Sequence, residues 1–139
     1  MDARISDSLR EKLVRKIISE FPKTAAIYLY GSAAKAALNR QSDLDLAILM
    51  PPGETISSWK LFEMRADLEA AAGRPVDVVE LDLAKSTAHS KEVIAQGQVI
   101  YCSDERARAE FEMRVLSEYA QYRRDLAPVI RAYSAGSDG

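Results

Sequence analysis

A chain of 139 residues fits one compact domain and leaves no room for two ordinary ones, and 47% apolar with 29% charged residues is a globular composition, not a disordered one. Its 19 basic residues nearly balance 21 acidic ones, which removes the electrostatic case for a protein that grips duplex nucleic acid directly. The single cysteine, Cys102, cannot close an internal disulfide, no apolar run approaches the ~20 residues of a bilayer span, and Met1-Asp2-Ala3-Arg4 lacks the apolar core of a signal peptide, so a cytoplasmic protein with no membrane partner is the default expectation.

In chain order, Ser6 or Asp7 caps a first predicted helix, with Leu9, Leu13, Ile17 and Ile18 on one face and Pro22 ending it. Ala25 to Tyr30 is a short apolar, aromatic run closed by Gly31 and reads as a buried strand. Asp43 to Met50 reads as a second strand, stopped by Pro51-Pro52-Gly53. Ser57 or Ser58 opens a helix to about Ala72, and Gly73 takes the usual position after its last turn. Val76 to Leu81 is a third strand, Ser90 to Gln96 a short helix ended by Gly97, and Val99 to Tyr101 a last edge strand. From Asp104 to about Tyr133 the pattern is helical again, with a Ser/Gly tail expected to fray. Strands interleaved with helices make residues 1–139 a single α/β or α+β domain.

The chemistry concentrates between Gly31 and Asp45. Side chains alternate along a strand, so Asp43 and Asp45 share one face while Leu44, Leu46 and Ile48 point to the core. Two neighbouring carboxylates repel, and a cation between them relieves the repulsion. Hard oxygen ligands in this number suit Mg²⁺, which takes one or two carboxylates together with waters and substrate phosphates, so the implied small-molecule partner is a nucleoside triphosphate. Gly31 lets the backbone turn sharply beside a ligand, Ser32 offers a hydroxyl and an N–H, and Lys35 adds a positive charge one turn on. Asp77 interrupts an apolar run and is the candidate third carboxylate, with Glu80 or Asp82 replacing it if the strand register is shifted. Asp43, Asp45 and Asp77 together suit two metal ions about 3.5–4 Å apart, the arrangement used for in-line nucleotidyl displacement.

The segment GSAAKAALNRQSDLDLAIL resembles the signature of the polymerase β-like nucleotidyltransferases: Gly-Ser, ten residues, Asp-x-Asp. The small size points to their minimal (MNT) branch, and the closing segment FEMRVLSEYAQYRRDLAPVIRAY is similar to that of MntA-type antitoxins, which pair with HEPN toxins. The resemblance implies a nucleotidyltransferase-like fold: a small mixed sheet with helices packed on one side and a long helical C-terminus. It implies transfer of AMP from ATP to a tyrosine of a HEPN ribonuclease toxin, silencing it within a hetero-oligomer. Carried over by motif, Gly31, Ser32 and Lys35 would bind the nucleotide, while Asp43, Asp45 and Asp77 would hold the magnesium ions and act in catalysis. Two positions depart from the common pattern, Lys35 where an arginine often stands and Ala36 where a glycine does, costing a bidentate fork and a free positive φ. Rivals are an antitoxin that inhibits by contact alone and a transferase acting on a small molecule such as an aminoglycoside.

Other residues have plainer readings. His89, the one histidine, lies in a polar stretch and reads as a surface loop residue; Trp59 and Phe62 sit three apart and read as core or groove wall. Phe111, Val115, Tyr119, Tyr122, Leu126, Val129 and Tyr133 form a helical apolar stripe, part packing on its own domain and part suiting a helical partner, and Pro128 is expected to loosen its last turns.

Overall fold

The computed structural model describes residues 5–31, 43–82, 84 and 86–137. Helix α1 (Asp7–Glu20) is capped by Ser6, whose hydroxyl accepts the Leu9 N–H at 3.1 Å. Strand β1 (Ala26–Tyr30) pairs antiparallel with β2 (Leu44–Leu49). Helix α2 (Ser58–Ala72) opens on a Ser57 cap and closes on Gly73 at φ 70°. It carries the chain across to β3 (Val76–Glu80), which runs parallel to β2, as a crossover helix must for parallel neighbours. Helix α3 (Thr87–Gln96), β4 (Gln98–Cys102) and α4 (Glu105–Ser137) complete the chain. The sheet order is β3-β2-β1-β4, a mixed sheet with β4 antiparallel at one edge.

Strand alternation builds two cores. Ile27, Leu29, Leu44, Leu46, Ile48, Val76 and Val78 pack with Leu13 and Ile17 of α1 and Met64 and Leu68 of α2. Each such fully buried aliphatic side chain contributes about 1.5–3 kcal/mol relative to exposure. On the other side Ala26, Tyr28, Ala47 and Leu49 pack with Val93 of α3 and with Ala107 and Phe111 of α4. The expected small mixed sheet with a long C-terminal helix is therefore present, but its helices cover both faces instead of one. The reason is in β1 and β2: the residues between the large aliphatics are themselves apolar, so neither face could be left to water.

The start of α4 is fastened to β1. Ser103 donates its backbone N–H to the Ala25 carbonyl at 2.8 Å and its hydroxyl to the Thr24 carbonyl at 2.7 Å. The Tyr28 hydroxyl donates to Glu112 at 2.9 Å, and Arg108 bridges Glu112 and Glu105. Further along, Val115 is fully buried, whereas Tyr122, Val129, Ile130 and Tyr133 are half or more exposed. The predicted stripe thus divides, its first half packed on the domain and its second half facing solvent. Pro128 lies inside α4 without ending it, and the helix runs to Ser137, past its predicted end. Trp59 and Phe62 are not core: they stack on each other at 5.6 Å and remain largely exposed. No described helix is long and apolar enough to cross a membrane.

Candidate functional site

The sheet register sets the candidate residues in one row. Tyr30 of β1 lies opposite Asp45 of β2, and Asp45 lies beside Asp77 of β3. All three point to the face covered by α3 and α4, because their sequence neighbours Leu29, Leu44, Leu46, Val76 and Val78 fill the other core. Asp43 stands just before β2, exposed, two residues from Asp45. The three predicted carboxylates are thus brought to one end of the sheet, and Asp77 is in register. Glu80 takes another role: half-buried on the opposite face, it accepts the Ile56 N–H at 3.1 Å and is not a solvated residue. Asp82 accepts the Ala84 N–H at 2.9 Å beyond the strand end.

Gly31 sits where the sequence reading places it, at the turn after β1, with φ 70°. Two constraints require glycine here. The left-handed backbone disfavours any Cβ, and a Cβ built there would collide with Asp45 Oδ2 and lie 3.2 Å from its Cγ. The Asp45 carboxylate therefore rests over the Gly31 backbone. Ser32 and Lys35 lie outside the described residues.

The electrostatics follow from this crowding. Partial burial raises the Asp45 carboxyl above the ordinary carboxylate range, and the charges of Asp77 and Asp43 raise it further, while His89 acts in the opposite direction. Tyr30 is raised first by burial and then by the charges of Asp45, Asp77 and Glu92, so its phenol keeps its proton. Among the described residues no three acidic, histidine or cysteine side chains converge tightly enough to enclose a metal ion by themselves. The donor set still fits magnesium, which needs only one or two carboxylates when phosphates and waters complete its shell, and the mutual repulsion at Asp45 is what a divalent cation would relieve.

One further residue stands at this row. His89 is the third residue of α3, which begins three residues earlier than the sequence suggests because the Ser86 hydroxyl caps it by accepting the His89 N–H at 3.1 Å. It is a helical residue, not a loop residue, and its ring meets Tyr30 edge-on at 5.6 Å and 77°. Only the packing of α3 over the sheet could reveal that contact, although Tyr30 itself was legible as the residue before Gly31. A cleft of about 380 Å³ lies elsewhere, between the Pro51-Pro52-Gly53 turn, the end of β3 and the start of α4. It contains none of Asp43, Asp45 or Asp77, and the carboxylate row is the better candidate because its chemistry converges.

Comparison with known proteins bears on the fold and the family. Over 119 residues the chain is 27% identical to the protein adenylyltransferase MntA of Shewanella oneidensis, covering 86% of this chain and 83% of that one. A crystal structure of a toxin–antitoxin with AMP-PNP contains a chain 25% identical, with a TM-score of 0.78 over 90% of this chain and 98% of the other. The fold recurs at 22% identity and a TM-score of 0.75 in a tri-AMPylated Shewanella oneidensis HEPN toxin in complex with MNT antitoxin, covering 94% and 99% of the two chains. The family model described as Polymerase beta, Nucleotidyltransferase matches residues 11–106, from α1 through the sheet to the first turn of α4, and the chain belongs to that family.

Proposed function

We propose that this nucleotidyltransferase is an antitoxin that transfers AMP from ATP to a tyrosine of a partner HEPN ribonuclease toxin and so neutralises it. The observation that carries the reading is the in-register pair Asp45–Asp77 beside the Gly31 turn, an acidic row that suits magnesium and a triphosphate. The similarity to a protein adenylyltransferase over most of both chains, and to a toxin–antitoxin bound to an ATP analogue, supports it. Magnesium, when bound, offsets the triphosphate charge and polarises the α-phosphate.

In this reading Asp43, Asp45 and Asp77 hold two magnesium ions, and Gly31, Ser32 and Lys35 receive the triphosphate. The partner's tyrosine oxygen attacks the α-phosphorus, the bond to the β-phosphate oxygen breaks, pyrophosphate leaves, and Asp77 takes the phenolic proton. Tyr30, held protonated, walls the row on the β1 side. The exposed half of α4, with Tyr122, Val129, Ile130 and Tyr133, gives a helical partner an apolar face to cover, making the working species a hetero-oligomer in the cytoplasm.

The test is transfer of label from α-labelled ATP to the purified partner. Wild type labels it in the presence of Mg²⁺, while Asp43→Asn, Asp45→Asn and Asp77→Asn fold but do not. Neutralisation without label would favour an antitoxin acting by contact, and label on an aminoglycoside with no protein present would favour a small-molecule transferase.

A further inference from the structure

The face of the sheet that carries the carboxylates is roofed by α3, and two aromatic rings join the roof to the row. Tyr30 occupies the cross-strand position next to Asp45. His89 meets the Tyr30 ring edge-on, with centroids 5.6 Å apart, an arrangement that favours the positive edge of one ring against the face of the other. Gly31, directly after Tyr30, offers bare backbone on which Asp45 Oδ2 rests. The Asp45 carboxylate thus rests against Gly31, in the cross-strand position beside Tyr30, whose ring in turn meets His89. Glu92, one turn after His89, and Asp77 are the other charged groups whose fields reach Tyr30.

We propose that Tyr30 and His89 form an aromatic brace that holds the Asp45 carboxylate in place, so that both are positioning residues for the magnesium-bound triphosphate. The inference rests on the nucleotidyl-transfer reading above. A metal ligand left free to rotate binds its ion less well, and partners that orient ligands typically matter by 10–100-fold in metal affinity. What the brace asks of His89 is its ring packing on Tyr30, so phenylalanine should replace it.

Calorimetric titration of the full chain with Mg²⁺ and AMP-PNP tests this, alongside kinetic separation of kcat from KM for ATP. His89→Ala is expected to weaken binding roughly 10–100-fold and raise KM, and Tyr30→Ala to do the same. His89→Phe is expected to stay within about threefold of wild type, since ring packing is retained. Because His89 is exposed, Tm should shift little in its variants, which separates positioning from unfolding. Wild-type binding in His89→Ala would overturn the brace, and so would equal losses in His89→Ala and His89→Phe, which would assign the effect to the imidazole nitrogens. A wild-type chain that binds no Mg²⁺–AMP-PNP would instead remove the nucleotidyl reading itself, and the brace with it.

Discussion

Asp45 and Gly31 form a single unit in which a carboxylate has been set on a bare stretch of backbone. The Gly31→Ala variant should lose stability by roughly 1–3 kcal/mol, from strain at positive φ and from the clash with Asp45 Oδ2, and should lose transfer as well. Urea denaturation and the labelling assay measure the two effects separately. Asp45 carries a second prediction. Its pKa is raised in the folded protein, so the folded state binds the proton more tightly than the unfolded chain does. The resulting penalty is absent below the ordinary carboxylate range, grows as pH rises toward the raised pKa, and is fully present above it. Asp45→Asn removes that penalty, and metal-free Asp45→Asn should melt above the wild type at neutral pH by about 1–3 °C, an advantage that vanishes in acid. A series of melting curves from about pH 4 to pH 8 checks the sign. The same substitution should lower transfer by roughly a thousandfold or more. On the proposed reading, function and stability pull in opposite directions at this residue, as is common where a site concentrates charge.

Most elements were legible because local chemistry and global packing agree. Serine caps at Ser6 and Ser57, the positive-φ Gly73 and the alternation in β2 each specify what is observed. Helix α3 was harder to delimit: its cap, Ser86, is separated from the apolar residues by a polar turn, so the periodic signal begins late and His89 is left looking like loop. Sharing out the helices failed for a related reason, since Ala26 and Ala47 are small and gave little sign that a second face is buried. Helix α4 is divided by burial. Val115→Ala should cost about 1–3 kcal/mol by opening a void where the helix meets the domain. Charge on the distal half, as in Val129→Asp with Ile130→Asp, should leave stability within about 0.5 kcal/mol while weakening capture of the HEPN partner at least tenfold. Chemical denaturation and calorimetry with the partner would show whether the two halves separate in this way.

At the scale of the molecule, the mixed sheet is what assembles the site. The hairpin pairing of β1 with β2 sets Tyr30 and Gly31 against Asp45, and the parallel crossover through α2 brings Asp77 into register from more than thirty residues away. The Asp-x-Asp spacing led to the expectation that two carboxylates share a face, and the lone acid in Val76-Asp77-Val78 marked the candidate third, which the register sets beside Asp45. What the sequence could not show was the helix roof, because contacts such as His89 with Tyr30 depend on how α3 lies across the sheet and not on any spacing. The central claim is that this acidic row moves AMP onto a protein partner. Intact-mass spectrometry of the HEPN partner, after incubation with this chain, Mg²⁺ and ATP, tests it most directly. A gain of one or more AMP units, abolished in Asp43→Asn and mapping to tyrosine, is the predicted result; an unchanged mass on a partner that is bound and inhibited would contradict it.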